Sequence, residues 1–236
     1  MSIKDLLRTT WAHRHDLRSL PYSLYFNLHY LPLKAAVRLP ILLYKPRLLS
    51  LKGQVKIEGR LKYGLVRLGF PTVSLYPNSG ITLENHGGTV VFKGSCIIGN
   101  ASALSIGSKG RVEFGDGFVA TTAFRLTSYD GITFGRHCLV GWDSLFLDTD
   151  FHKLTKLPGG SSRGHAPITI GSDNWFGNGC RIMKRTKTPD CCTIAAGTTL
   201  SDPVDVPPYS VIGTKREIVT ISNCLWRNPE DDTISD

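Results

Sequence analysis

Five residues whose side chains could act in catalysis lie within one short stretch of the chain: Asp148, Asp150, His152, Arg163 and His165. An imidazole within hydrogen-bonding reach of a hydroxyl group can accept its proton while the hydroxyl oxygen attacks an acyl carbon. A carboxylate on the other ring nitrogen would orient the imidazole and stabilise its charged form. In an extended segment Asp148, Asp150 and His152 share one side, so the stretch predicts a general base with a carboxylate partner.

This stretch interrupts a six-residue repeat. Three hexapeptides of this kind form a triangular coil, with the first residue of each pointing inward, so the period predicts a solenoid. The phase slips over residues 106–133, and the interruption over 147–169 is expected to be an extended outward loop of the kind that carries function. The inward positions are apolar except for Thr188: Phe92, Ile98, Leu104, Phe134, Val140, Phe146, Ile170, Phe176, Ile182, Thr188, Ile194, Leu200 and Val206.

The cysteines follow the same repeat. Four of the six occupy its fifth position, which predicts small buried residues that fill the corners of the coils. The chain has no CxxC pair, so we expect reduced thiols and no disulfide framework. The histidines also lack the spacing of a zinc site, and no metal is expected. The four corner cysteines are Cys96, Cys138, Cys180 and Cys192.

Two runs of the repeat carry a family resemblance. Residues 167–179 read Pro-Ile-Thr-Ile-Gly-Ser-Asp-Asn-Trp-Phe-Gly-Asn-Gly and resemble the PIxIGxNxWIG signature of the hexapeptide-repeat acetyltransferases. Ile194-Ala-Ala-Gly-Thr-Thr and the later Val206-Pro-Pro-Tyr-Ser-Val resemble the end of the same domain. This family includes the galactoside, maltose and capsular-polysaccharide O-acetyltransferases. The resemblance covers about residues 80–214 and implies a mainly β fold, a left-handed parallel β-helix with triangular coils.

The resemblance also implies an activity, the acetyl-CoA-dependent transfer of an acetyl group to a sugar hydroxyl in surface or capsular polysaccharide biosynthesis. By this resemblance His152 is the general base, and Asp150 or Asp148 is its carboxylate partner. Arg163 and His165 are candidates for binding the acceptor. Two alternatives stay open: N-acylation of a nucleotide-linked amino sugar, and a non-catalytic β-helix that serves as a scaffold.

For the donor, the resemblance implies coenzyme A lying between adjacent β-helices of a homotrimer. The family's cation after this segment is missing here, where Leu200-Ser-Asp202 stands. The nucleotide phosphates are therefore expected on Lys215 and Arg216, or on the basic residues of 184–187, unless these charges are only a solvated surface. The positions that match the family's donor site are Trp175, Gly177, Ala195, Ala196, Gly197 and Thr198.

The basic charge is concentrated near the beginning of the chain. Residues 1–62 hold 12 Lys/Arg and 3 Asp/Glu, and the remainder is neutral, so a nucleic-acid partner is not expected. Leucines at helix-like spacing predict a helical and irregular cap over 1–50, followed by the β-helix domain over 51–214 and a tail over 215–236. The alternative for the cap is a patch that contacts anionic lipid, which would suit a lipid-linked acceptor. With no membrane-spanning run and no signal peptide in the pattern, the expected location is the cytoplasm, or the inner face of its membrane.

Overall fold

A computed structural model of the 236-residue chain describes residues 14–152 and 163–214. The chain begins there with helix α1 (Arg14–Tyr30) and a single turn, α2 (Leu33–Ala36). Helix α1 packs against the first strand of the coils. Neither described helix has the length and apolar character needed to cross a bilayer.

The remaining described residues form 21 short strands in three parallel sheets, which we call A, B and C. Sheet A contains β1 (Ile41–Leu43), β4 (Val66–Phe70), β7 (Cys96–Gly99), β10 (Phe118–Ala120), β13 (Leu139–Val140), β16 (Trp175–Phe176), β19 (Thr193–Ile194) and β21 (Val211–Ile212). Sheet B contains β2 (Pro46–Leu51), β5 (Ile81–Asn85), β8 (Ser102–Ile106), β11 (Arg125–Ser128), β14 (Leu145–Leu147), β17 (Arg181–Met183) and β20 (Thr199–Leu200). Sheet C contains β3 (Gln54–Ile57), β6 (Thr89–Phe92), β9 (Arg111–Phe114), β12 (Ile132–Phe134), β15 (Ile168–Ile170) and β18 (Lys187–Thr188).

The chain visits the three sheets in turn, so each of the first six coils contributes one strand to each face of a triangular prism. In the last coils, residues 18 positions apart are partners, as Phe176 is with Ile194 and Ile194 with Ile212. Three hexapeptides therefore make one coil. The earlier coils are longer, as the pairing of Cys96 with Phe118, 22 positions later, shows. This added length is the reason that the repeat slips out of phase in the sequence.

The interior of the prism is a continuous aromatic and aliphatic core. Phe92, Phe114 and Phe134 stack on successive coils, with ring centroids 5.5 and 5.6 Å apart. Phe146 continues the column towards Phe176, 5.3 Å away. Such close packing of large side chains is the main source of stability for short strands that form few hydrogen bonds of their own.

The corner cysteines are buried, as the repeat predicts, and burial raises the pKa of the Cys138 thiol to about 11. The predicted fold class is confirmed in its mainly β character, its all-parallel sheets and the helix before them. The first strands of the sheets, β1 and β2, begin at Ile41 and Pro46. The domain bounds at residues 50 and 214 stay predictions.

Candidate functional site

The extended loop leaves the coils at the corner between sheets B and C, after β14 and before β15. Val140 pairs with Phe176, 36 positions later, so the loop adds the length of one coil without adding a coil. Its two ends meet in an antiparallel bridge between Thr149 and His165. The Asp150 amide donates to the Gly164 carbonyl oxygen (2.7 Å). We call residues 147–152 and 163–166 the neck of the loop.

His152 lies on the outer side of the neck, with its side chain exposed. Among the described residues, no side chain or backbone group forms a hydrogen bond with its ring. The position of its backbone is set by Gly164, which has a φ of +73°. A Cβ atom at residue 164 would lie 2.9 Å from the His152 carbonyl oxygen, so the two segments can approach only because residue 164 is glycine.

Asp148 faces into the protein and not towards His152. Its carboxylate is fully buried and accepts hydrogen bonds from the Ser128 hydroxyl (3.0 Å) and from the amides of Tyr129 (2.6 Å) and Asp130 (3.0 Å). Burial raises the pKa of Asp148, and these donors oppose the rise. The carboxylate thus holds the preceding coil's turn against the neck, and the expected pairing with His152 is absent from the described residues.

The Asp150 carboxylate also binds a residue other than His152. Its carboxylate forms an ion pair with Lys184, which follows β17 on the next coil. Arg185 pairs with Asp202 (3.2 Å). Two of the three basic residues of 184–187, one of the two sets expected to bind the nucleotide phosphates, are therefore already paired with carboxylates.

A carboxylate–imidazole pair does occur at the neck, but on the other histidine. Nδ1 of His165 lies 3.1 Å from Oδ2 of Asp130, and the same oxygen accepts a hydrogen bond from Arg163 (3.3 Å). His165 is half-buried, so the Asp130 carboxylate can fix its ring orientation. Asp130 was missed in the sequence because it lies in the out-of-phase stretch, 35 positions from its partner. A strict 18-residue period cannot align the two.

A shallow cleft at the neck brings both histidines together. Among the described residues its wall contains no acidic side chain and combines imidazole, guanidinium, hydroxyl and aromatic groups. An acceptor molecule in this cleft would meet two proton-accepting nitrogens and several hydrogen-bond donors. The lining residues are Tyr129, Thr149, Phe151, His152, Arg163, Gly164 and His165.

The residues expected to bind coenzyme A lie on a different edge of the prism, at the corner between sheets A and B. Trp175 is exposed at the start of this strip, and Ala196 is exposed one coil further along. A Cβ atom at residue 177 would lie 2.6 Å from the Ala196 amide nitrogen, so Gly177 allows two coils to pack tightly. Thr198 is buried. The strip therefore combines packing residues with an exposed surface of small side chains.

Most backbone amides of the strip are used within the coils. The amide of Ala195 donates to Ile212 (2.8 Å), that of Gly197 to Asn178 (2.8 Å) and that of Thr198 to Ala195 (3.2 Å). Within the described part of the chain, the Ala196 amide has no acceptor. It is the donor that an incoming carbonyl group could use.

Two further expectations concern the basic residues of the tail and the lack of a metal site. Lys215 and Arg216 lie outside the described residues. Across 14–152 and 163–214, no three His, Cys, Asp or Glu side chains are grouped as a metal ion would require.

Comparisons with known proteins give two similarities. No family model matches the chain. A protein of Klebsiella pneumoniae described as "Uncharacterized 24.8 kDa protein in cps region" is 27% identical over 118 residues, which are 48% of this chain and 53% of that protein. The match thus spans about half the length of that relative. Among solved structures, the crystal structure of the polySia specific acetyltransferase NeuO is similar with a TM-score of 0.37 and 17% identity, over 83% of this chain and 82% of that one.

Proposed function

We propose that this protein transfers the acetyl group of acetyl-CoA to a hydroxyl group of a sugar or glycan in surface polysaccharide biosynthesis, with His152 as the general base. The observation that carries the proposal is the cleft at the neck. There an exposed imidazole stands beside a second imidazole held by a carboxylate, on a loop that interrupts the β-helix. The resemblance of residues 167–213 to the hexapeptide-repeat acetyltransferases supports the same chemistry.

The reaction needs a base, because a sugar hydroxyl is too weakly acidic to attack a thioester unaided at neutral pH. As the hydroxyl oxygen forms its bond to the thioester carbon, its proton passes to the imidazole of His152. Backbone amides can stabilise the oxyanion that forms on the carbonyl oxygen. The tetrahedral intermediate then expels the thiolate of coenzyme A, and the imidazolium returns the proton to that sulfur.

The carboxylate partners that we expected for His152 support a different role. Asp148 and Asp150 bind the neck to the coils before and after it, so we assign them to positioning the loop. The pair of His165 and Asp130 offers a second candidate for the base. With Nδ1 of His165 bound to the Asp130 carboxylate, Nε2 is the ring nitrogen left to accept a proton.

For the donor, we propose the strip between sheets A and B, with Trp175 and the Ala196 amide as its exposed groups. This strip and the cleft occupy different edges of one prism, so we infer that a site is completed by two protomers. A contact between two different edges is heterologous, and a three-fold rotation closes it into a ring. The proposed assembly is accordingly a homotrimer.

The test begins with acetyl-CoA binding. At about 100 times its Kd, acetyl-CoA should stabilise the fold by about 2.7 kcal/mol, measured as a thermal shift beside desulfo-CoA and ATP. Transfer is then measured with radiolabelled acetyl-CoA and a panel of sugars and glycans. Hydroxylamine treatment of the product separates an ester from an amide, and therefore O- from N-acetylation. If acetyl-CoA caused no thermal shift and no acetyl group were transferred, the proposed activity would be contradicted.

Variants decide which imidazole is the base. We expect His152→Ala to lower kcat by on the order of 10²–10⁴ without changing the unfolding midpoint, because its ring is exposed. His86→Ala, at an exposed histidine on an earlier coil, is the matched control and should keep full activity. If His152→Ala is active and His165→Ala and Asp130→Asn are not, the base is His165.

A further inference from the structure

Helix α1 packs against the solenoid with a face that buries three polar side chains beside Phe26. Ser19, Ser23 and Asn27 are fully buried on its inner face. The Asn27 side chain donates to the carbonyl oxygen of Ile41 (2.6 Å) and accepts from the amide of the same residue (3.2 Å), and the Ser23 hydroxyl accepts from the amide of Leu43 (2.8 Å). These bonds occupy the open edge of β1, the first strand of sheet A, which would otherwise offer unpaired backbone groups.

The opposite face of α1 is apolar and points away from the protein. Leu17, Leu24 and Leu28 recur at spacings of seven and four residues, so they lie on one side of the helix. With Tyr25, they are each between 44% and 56% exposed. Although Phe26 is buried in the core, these four large side chains point outward, where an amphipathic helix usually carries polar residues. None of the residues that the structure describes covers these leucines, so their role calls for a partner.

The segment that contains this helix and the first coil is strongly basic. Residues 17–57 contain seven Lys/Arg and no Asp/Glu. All seven are exposed, and none of them forms an ion pair with a carboxylate in the described part of the chain. They are Arg18, Lys34, Arg38, Lys45, Arg47, Lys52 and Lys56.

We infer that the outer face of α1 lies on an anionic lipid bilayer. Leucine side chains enter the boundary between headgroups and acyl chains, and nearby cations are attracted to acidic headgroups. Tyr22 and Tyr25, both exposed, have the amphipathic rings that favour this boundary. A second copy of the chain is a poorer partner, because it would bring the same unpaired cations against these. The inference goes beyond the proposed function and does not depend on it.

Vesicle flotation with the full chain tests the inference. Vesicles of phosphatidylcholine with about 30% phosphatidylglycerol are compared with pure phosphatidylcholine, at low and at high salt. We expect binding to the anionic vesicles, with loss at high salt because the charges are screened. Replacing two cations, as in Lys34→Gln with Arg38→Gln, should weaken binding about 25-fold, since each contributes about fivefold near a charged surface.

The apolar contribution is tested by Leu24→Ser with Leu28→Ser. This double variant should float at least tenfold more weakly than the wild type and unfold at the same midpoint, since both side chains are exposed. The matched control is Leu75→Ser with Val211→Ser, at exposed apolar residues on the coils, and it should float as the wild type does. Three results would overturn the inference: no flotation on anionic vesicles, equal flotation on neutral ones, or a Leu24 and Leu28 variant that binds lipid unchanged but no longer self-associates in light scattering.

Discussion

Phe146 and Asp148 are two positions apart and both are fully buried, yet they belong to two differently built regions. Phe146 lies in the core of the coils, where its ring centroid is 5.0 Å from that of Phe134. Asp148 lies in the neck, where its oxygens accept three hydrogen bonds from the preceding coil. The coils are stabilised by stacked side chains and the neck by polar contacts to backbone. Changes in the coils should therefore affect stability first, and changes in the neck should affect the position of His152 first.

The largest effect on stability is expected in the core of the coils. Phe146→Ala removes a ring that contacts Phe124, Phe134 and Phe176, and it should lower the free energy of unfolding by about 3–5 kcal/mol. The matched control, Phe151→Ala in the neck, deletes a ring that is 64% exposed and should cost less than about 1 kcal/mol. Urea denaturation at one protein concentration measures both. Equal losses would contradict the division between the two regions.

The neck is tested by Gly164→Ala, with a smaller effect on stability. The left-handed backbone of residue 164 should cost about 1–2 kcal/mol with an alanine there. The new Cβ must also displace the His152 carbonyl oxygen, only 2.9 Å away. If His152 is the base, kcat should fall about tenfold or more, since small displacements of a catalytic group lower the rate steeply.

Gly59→Ala is the control for backbone strain, because its φ is +93° and its added Cβ would meet only the Lys93 carbonyl oxygen, at 4.0 Å. It should lose stability but keep its activity. The NMR signals of the His152 ring give a measurement that does not depend on the proposed reaction. They should move in Gly164→Ala and stay in place in Gly59→Ala. Unmoved signals in Gly164→Ala would show that the contact does not position His152.

The coils could be predicted from sequence because their information is local. An inward residue such as Phe176 repeats every six positions, and its role follows from its phase alone. The loop was also visible, as the place where the repeat stops. Contacts between side chains on different coils cannot be predicted from a local pattern. The pair of Asp130 and His165 depends on the length of an irregular coil, and the inward turn of Asp148 depends on three donors that lie 18 to 20 positions earlier.

The orientation of α1 was beyond the sequence pattern for another reason. The spacing of Leu17, Leu24 and Leu28 predicts a helix, and the usual rule turns such a stripe towards the core. Here Ser23 and Asn27 face inward instead, because the open edge of β1 needs hydrogen-bond partners. A periodicity identifies the two faces of a helix, but the choice between them depends on the surface that the helix meets.

The smallest effect should come from charges on the outside of the coils, and its pH dependence separates the two regions again. The ammonium group of Lys93, 2.5 Å from Glu113, and the Arg111 guanidinium hold the pKa of Glu113 below its usual value of 4.5. Its contribution to stability is therefore present above about pH 4.5 and is lost as the pH falls through the lower pKa of the folded state.

Glu113→Gln should cost less than about 1 kcal/mol at pH 7, and the difference from wild type should vanish in acid. Asp148 has the opposite effect. Because burial raises its pKa in the folded state, its contribution to the free energy of unfolding increases as the pH falls through that raised pKa. Urea denaturation of the wild type and Glu113→Gln between pH 7 and pH 3 measures the difference. If the difference in unfolding free energy between wild type and Glu113→Gln widened in acid, the assignment of Glu113 as an anion stabilised on the coil surface would be contradicted.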